Sequence, residues 1–156
     1  MALSRLPTFL SGLWAGLLVT IGGVAAPAAF AIAAPEIAGR IAGRMFAQEA
    51  YLSLVFATLL FLLLRKQVRA GPGSVFNANL LLVLAALFCT VSGYFALQPM
   101  LAAAKAGQET GLSFAMLHGM SAGLYVFKAG LVGVLAWRLT ACRSTGTEAV
   151  SPRLSS

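Results

Sequence analysis

Four long apolar stretches, separated by short polar or glycine- and proline-rich segments, make up most of this 156-residue chain. A helix needs about 20 predominantly apolar residues to cross a hydrocarbon core about 30 Å thick, so the chain has room for four spans and little else. Hydrophobic residues make up 60% of the chain and charged residues 10%, whereas about 25% of the residues in soluble domains are charged. The sequence therefore predicts an all-α, four-helix transmembrane bundle.

The four stretches predict one membrane domain over residues 1–141, with spans at about 6–33, 45–64, 77–98 and 113–139. Pro35 suits the first turn of the second helix, which we expect to start in the headgroup layer and to enter the bilayer near Met45. Gln98 and Pro99 predict the end of the third span. Residues 142–156 are polar and rich in Ser and Thr, which predicts a flexible cytoplasmic tail.

The first apolar stretch has a second interpretation. Arg5, the apolar run and the small residues on either side of Phe30 also fit a cleavable signal peptide. The run is, however, about twice as long as the 7–15 apolar residues of a typical signal peptide. We therefore favour an uncleaved first span, with cleavage as the alternative.

Lysine and arginine side chains predict the orientation of the bundle, because cytoplasmic loops carry the excess of basic residues. The larger group, on the side of the termini, comprises Arg5, Arg65, Lys66, Arg69, Arg138, Arg143 and Arg153, and the smaller group comprises Arg40, Arg44 and Lys105. Both termini are therefore predicted to be cytoplasmic. Trp14 and Trp137 lie toward that side and are expected to be interfacial anchors. The net charge of +7 is assigned to headgroup contacts, so the predicted partner is the lipid bilayer and not nucleic acid.

The fourth apolar stretch contains ionisable residues at membrane depth, where each charge costs roughly 2.5–3.5 kcal/mol. His118, Ser121, Tyr125 and Lys128 follow one another at spacings of three, four and three residues, which places all four on one face of a helix. We expect this polar stripe to point into the bundle, because lipid offers no partners to its polar groups.

Polar residues of the second helix are expected to meet this stripe. Arg44 and Gln48 share a face at a spacing of four residues, and Glu49 lies about 100° round from Gln48. If the second helix enters the bilayer near Met45 and the fourth enters at its own start, Glu49 and His118 each lie about one turn below the surface. This geometry is compatible with a contact between Glu49 and His118.

The polar cluster has two interpretations. In the first, it is a proton or ligand site in which Glu49 and His118 exchange protons or hold a polar solute, with Gln48 and Ser121 as hydrogen-bonding groups. In the second, it is a structural network that fixes the register of the helices, each bond contributing about 0.6 kcal/mol. Lys128 has no acid at its predicted depth, so we expect it to face a watery crevice on the inner side of the bundle. Hydrogen bonds from its amine to Ser, Thr or Tyr hydroxyl groups and to freed carbonyls, or extension of the amine toward the cytoplasmic interface, are the alternatives.

Glycines recur at four-residue steps along three of the helices. The pairs are Gly12 and Gly16, Gly39 and Gly43, and Gly119 and Gly123. This spacing lets helix backbones approach closely. We favour packing between helices of the same chain. Contact with another membrane protein, or with a second copy of this chain, is the alternative.

The residue inventory argues against an enzyme. The chain has one histidine and no aspartate, which leaves no Ser-His-Asp triad and no metal site built on two or three histidines. No metal site and no cofactor are predicted. Haem held by His118 and a methionine, or shared across a dimer, is a less favoured alternative.

Three segments carry a resemblance to a known family: GRMFAQEAYLSL at 43–54, GYFALQPMLAAAK at 93–105 and FAMLHGMSAGLYVF at 114–127. Together they resemble the bacterial branch of the family known as domain of unknown function 4149, which is similar to eukaryotic transmembrane protein 205. The most specific pattern is Leu-His-Gly-x-Ser at 117–121. The resemblance implies a four-helix, multi-pass protein of the bacterial cytoplasmic (inner) membrane without an assigned activity.

These observations lead to two functional hypotheses. The protein is a small transport or accessory protein that handles a proton or a small polar solute, or it is a structural or interaction module that packs against another membrane protein. The first hypothesis rests on the ionisable residues Glu49, His118 and Lys128, and the second on the glycine pairs.

Overall fold

The computed structural model describes residues 2–69 and 77–144, which form four long helices with no β-strand among them. The first membrane helix comprises α1 (Ala2–Val19), a π-helical segment (Thr20–Ala25) and α2 (Ala26–Ile32); the second is α3 (Pro35–Arg69). The third comprises α4 (Ala78–Thr90), a π-helical segment (Val91–Ala96) and α5 (Leu97–Lys105), and the fourth is α6 (Phe114–Ser144).

All four helices are long and apolar enough to cross a membrane, which confirms the predicted all-α class and the number of spans. The side of the membrane on which the termini lie stays a prediction. Of the predicted tail, residues 142–144 continue the fourth helix, and residues 145–156 lie outside the described part of the chain.

The helices form a four-membered bundle in which each neighbour in sequence is also a neighbour in space. The first helix packs against the second and the fourth, and the third also packs against the second and the fourth. The second and fourth helices therefore face each other diagonally across the bundle axis. Their side chains can meet only near that axis, where no other helix lies between them.

The main core lies toward one half of the bundle and takes residues from all four helices. Its largest members include Trp14, Leu18, Leu60, Val83 and Leu135, each fully buried. The outer surface is apolar as well. Large hydrophobic side chains such as Phe9, Phe88 and Val126 are at least 65% exposed. An apolar core inside an apolar surface is the arrangement of a bundle that is solvated by lipid.

Each π-helical segment precedes a proline. Pro27 follows Thr20–Ala25 by two residues, and Pro99 follows Val91–Ala96 by three. A proline in a helix lacks an N–H group, and its ring crowds the carbonyl four residues earlier, which in both cases lies in the π-helical segment. Local widening of the helix accommodates a proline within a membrane span. The third helix continues past Gln98 and Pro99 to Lys105, so the proline does not end the helix, and the predicted end of the span at residue 98 stays a prediction.

Candidate functional site

The centre of the bundle contains an ion pair between the second and fourth helices. Lys128 Nζ lies 2.9 Å from Glu49 Oε1 and 2.9 Å from Glu49 Oε2. The two side chains are 4% and 2% exposed, respectively. Because these helices are diagonal neighbours, the pair crosses the bundle axis. It is the only ion pair among the side chains of residues 5–69 and 77–141, which the structure describes.

Two further side chains extend this pair into a chain of hydrogen bonds. The Ser53 hydroxyl donates to Glu49 Oε1, one turn away on the same helix. Trp14 Nε1 of the first helix donates to Ser53 Oγ at 2.8 Å. Trp14 and Ser53 are both fully buried. The network therefore joins three helices and directs every donor toward the carboxylate.

The aromatic ring of Tyr125 is a further contact of Lys128. Lys128 Nζ lies 5.0 Å from the centre of the Tyr125 ring, a distance at which a cation is attracted to the face of an aromatic ring. The Tyr125 hydroxyl donates to the Leu18 carbonyl at 2.8 Å. That carbonyl lies just before the first π-helical segment, where the hydrogen-bond pattern of the helix changes.

Gly22 makes room for this tyrosine. A Cβ atom at Gly22 would lie 2.5 Å from Tyr125 Cε1, well inside van der Waals contact. The ring also packs edge-on against Phe46 of the second helix, with 5.0 Å between ring centres. Tyr125 is thus held by the first and second helices together, and its position sets one wall of the site around Lys128.

The surroundings of the pair meet the conditions under which a buried ion pair persists. Removing two charges from water costs several kcal/mol per ion, and the mutual attraction offsets this only if geometry is good and the remaining polar atoms are bonded. Here the lysine contacts both carboxylate oxygens. Within the described residues, every buried side-chain nitrogen and oxygen atom has a hydrogen-bond partner.

The structure corrects the partners expected for Glu49 and Lys128. Glu49 is fourteen residues beyond Pro35, and Lys128 is fourteen residues beyond Phe114, where their helices begin. The two helices run in the same direction, so the two residues lie at the same depth. The expected depth of Glu49 was counted from Met45, ten residues after the start of its helix. His118 and Lys128 are also ten residues apart, about 15 Å along the helix. Counting from Met45 therefore pairs Glu49 with His118, whereas counting from Pro35 pairs it with Lys128.

His118 lies nearer the start of the fourth helix and is exposed on the surface of the bundle. Its ring stacks on Phe114, with 5.9 Å between ring centres. Lys105 Nζ in turn lies 5.5 Å from the centre of the Phe114 ring. The expected contact between Glu49 and His118 is therefore wrong, and His118 belongs to a separate, exposed aromatic and cationic group.

The other predicted site residues are divided between the interior and the surface. Tyr125 lies in the network and Ser121 is partly buried, whereas Arg44 and Gln48 are exposed on the surface of the second helix. The polar stripe of the fourth helix therefore turns gradually from the surface at its start to the core at Lys128. Only its last two members reach the buried network.

The glycine pairs do not bring helices of this chain together. A Cβ atom added at any member of the three pairs would meet no other group within 4 Å; these members are Gly12, Gly16, Gly39, Gly43, Gly119 and Gly123. The favoured expectation of packing within the chain is therefore corrected. Close approach instead occurs at Gly22, against Tyr125.

Two residues of the network were not expected from the sequence. Trp14 was assigned to the membrane interface, yet it is fully buried and bonded to Ser53, whereas Trp137 is 76% exposed. Neither Trp14 nor Ser53 is charged, so the criterion of ionisable residues at membrane depth does not select them. The available signal was the spacing of four residues between Ser53 and Glu49, which places a hydroxyl next to a carboxylate on one helix face.

The fold and the buried network define a four-helix integral membrane protein with an ion pair in its core. No three histidine, cysteine, aspartate or glutamate side chains in the described segments are grouped as metal ligands would be. The chain belongs to the family known as domain of unknown function (DUF4149), whose model matches residues 9–110. No curated protein and no solved structure shows a significant match.

The family match covers the first three membrane helices and ends before the fourth. Glu49, Ser53 and Trp14 lie inside the matched residues, whereas Lys128 and the Leu-His-Gly-x-Ser pattern at 117–121 lie outside them. The family assignment is thus carried by the part of the chain that contains the carboxylate. The similarity to transmembrane protein 205 and the bacterial branch stay predictions.

Proposed function

We propose that the protein is a small transport or accessory protein of the membrane that handles a proton or a small polar solute at the Glu49–Lys128 pair. The observation that carries this proposal is the ion pair itself, bonded through both carboxylate oxygens at 2.9 Å on the bundle axis. Ionisable residues at membrane depth mark proton relays and substrate pathways in membrane proteins. The pair replaces the contact between Glu49 and His118 that the sequence suggested.

The pair can hold its proton in two ways without a change of net charge. With the proton on Lys128, the groups are a carboxylate and an ammonium ion. Transfer of that proton breaks one Nζ–H bond, forms one Oε–H bond and leaves a carboxylic acid beside a neutral amine. The Ser53 hydroxyl donates a hydrogen bond to Oε1 of Glu49, so it helps to hold that carboxyl group beside Lys128.

A proton that arrives from outside has a different effect. It neutralises Glu49 while Lys128 remains charged, and so removes the attraction between the two helices. The face of the Tyr125 ring, 5.0 Å from Nζ, is then the nearest partner for the ammonium group. Protonation of Glu49 thereby shifts Lys128 from a partner on the second helix to one on its own helix.

Reconstitution in lipid vesicles tests this proposal. Purified protein is inserted into vesicles that contain a pH-sensitive dye, and a pH step is applied outside with and without small polar solutes. We expect faster acidification than in protein-free vesicles, and a rate at the protein-free level for Glu49→Gln. The matched controls are Glu109→Gln and Lys105→Gln, which remove exposed charges of the same kinds and should retain the wild-type rate.

The double variant Glu49→Gln/Lys128→Met separates chemistry from folding, because it leaves no unpaired charge in the core. If this variant inserts, folds and still acidifies vesicles at the wild-type rate, the proton-handling proposal is wrong. Equal rates for wild-type and protein-free vesicles, with and without solutes, have the same consequence.

A second candidate function is a structural or interaction module that packs against another membrane protein or a second copy of this chain. The observation that favours it is the open surface beside Gly119 and Gly123 on the fourth helix. Gly119→Leu/Gly123→Leu should abolish a stable complex isolated from the native membrane. Val126→Leu, at an exposed position of the same helix, is the control and should preserve it.

The proposed setting is the bacterial cytoplasmic membrane with both termini in the cytoplasm. The support is the uneven distribution of Lys and Arg between the two ends of the bundle. Arg5, Arg65, Lys66, Arg69 and Arg138 lie at one end, and the positive-inside rule assigns that end to the cytoplasm.

A further inference from the structure

Three cationic side chains form a patch at the C-terminal end of the second helix. Arg65, Lys66 and Arg69 are all exposed, and together with Leu62 they line a shallow depression of about 280 Å³. We call these four residues the basic patch.

The spacing of the basic patch puts its residues on adjoining turns of one helix. Arg65 and Arg69 are four residues apart, and Leu62 precedes Arg65 by three and Lys66 by four. Residues three and four apart are neighbours on a helix surface. Leu62 is 56% exposed and lies on the membrane side of the cations. The patch thus combines an apolar surface at acyl-chain depth with three cations at headgroup depth.

No carboxylate in the described segments neutralises these cations. Glu49 is sixteen residues from Arg65, about 24 Å along the helix, and is already bonded to Lys128. Glu36 lies at the opposite end of the same helix. The separation of about 24 Å exceeds the screening length of about 8 Å at physiological ionic strength, and Glu36 is further still from the patch. Glu109, in the segment after the third helix, also lies at the opposite end of the bundle.

The helix itself supplies only part of the missing negative charge. The C-terminal end of a helix is equivalent to about half a negative charge, whereas the patch carries three positive charges. Like charges on adjoining turns also repel one another. The patch therefore holds an excess of positive charge that an anion in the headgroup layer would compensate.

We propose that the basic patch binds the phosphate group of an anionic phospholipid, with an acyl chain along Leu62. The phosphate accepts hydrogen bonds from the guanidinium groups of Arg65 and Arg69, a geometry that suits arginine and phosphate, and Lys66 adds a point charge. Free phosphate shares the headgroup chemistry but lacks the contact with Leu62. The proposal is independent of proton handling at Glu49.

Native mass spectrometry of the full chain in detergent micelles tests the proposal. Phosphatidylglycerol and phosphatidylcholine are titrated separately, and the bound lipids are counted. We expect the wild type to favour phosphatidylglycerol, and Arg65→Gln/Lys66→Gln/Arg69→Gln to lose affinity for it on the order of 100-fold. Arg40→Gln/Arg44→Gln, which removes exposed cations from the other end of the same helix, is the matched control and should retain binding.

A second variant, which keeps all three positive charges, tests the proposal if the triple variant does not fold. Arg65→Lys/Arg69→Lys keeps the charge and should keep the preference for phosphatidylglycerol with a smaller loss. Equal binding of the two lipids by the wild type overturns the proposal, as does an equal loss in the control. Displacement of the bound lipid by inorganic phosphate at the same concentration shows that a free anion suffices, which also overturns it.

Discussion

Glu49 and Lys128 lie at the same depth because each is fourteen residues from the start of its helix, and both helices start at the same end of the bundle. Their contact at 2.9 Å joins the two helices that are diagonal in the bundle. It therefore fixes the relative register of helices that share little other contact.

Removing one member of this pair should destabilise the protein strongly. Glu49→Gln leaves the Lys128 ammonium buried without a counter-charge, and we expect a loss of about 3–5 kcal/mol in the free energy of unfolding. Glu49→Gln/Lys128→Met should recover most of that loss. Thermal unfolding in detergent checks both. Glu109→Gln, at an exposed position, is the control. A Glu49→Gln protein as stable as the wild type would contradict the buried pair.

We expect that Gly22 cannot be replaced by a residue with a side chain, whereas the neighbouring Gly23 can. Gly22→Ala places a methyl group 2.5 Å from Tyr125 Cε1, and forced repacking of this kind costs about 1–3 kcal/mol. Gly23→Ala, in the same π-helical segment, meets nothing within 4 Å and should be close to neutral. Unfolding midpoints in detergent compare the two. Equal effects would show that helix propensity, and not the Tyr125 contact, decides the outcome.

The two tryptophans should report different surroundings. Trp14 is fully buried, and Trp137 is 76% exposed. In vesicles made with brominated lipids, whose acyl chains quench tryptophan fluorescence, Trp137→Phe should leave weak quenching because only Trp14 remains. Trp14→Phe should leave strong quenching. Comparable quenching of the two variants would place Trp14 at the lipid surface.

The orientation of the termini can be measured directly. The basic residues Arg65, Lys66 and Arg69 follow the second helix, so that end should face the cytoplasm. A C-terminal green fluorescent protein fusion should fluoresce, and a C-terminal alkaline phosphatase fusion should be inactive. Alkaline phosphatase inserted at Gln108, in the segment after the third helix, should be active. The reverse pattern would invert the proposed topology.

The fold was predictable because hydropathy and length alone distinguish helices that cross a membrane. The helix faces were partly predictable, since the spacing of Tyr125 and Lys128 does place both in the buried network. Depth was not. The start of the second helix at Pro35 was predicted correctly, but the depth of Glu49 was counted from Met45, where the apolar run begins, and not from the start of the helix.

The packing of the site was also outside the reach of sequence patterns. Glycines at four-residue steps predicted close helix contacts, yet those glycines are open and the close contact is at Gly22. The π-helical segment that carries Gly22 alters the angular position of the residues after it, so a fixed advance of 100° per residue no longer applies. The hydrogen bond from Trp14 to Ser53 joins two helices, so it depends on how those helices are placed relative to each other and not on spacing within either one.

The separation of 79 residues between Glu49 and Lys128 also has a consequence for biosynthesis. At 5–20 residues per second, Glu49 is synthesised about 4–16 s before Lys128. Ser53 and Trp14 are both synthesised before Lys128, so their hydrogen bonds can form before the lysine exists. The ion pair itself can form only after the fourth helix has been made, so the relative register of the second and fourth helices is set late in synthesis.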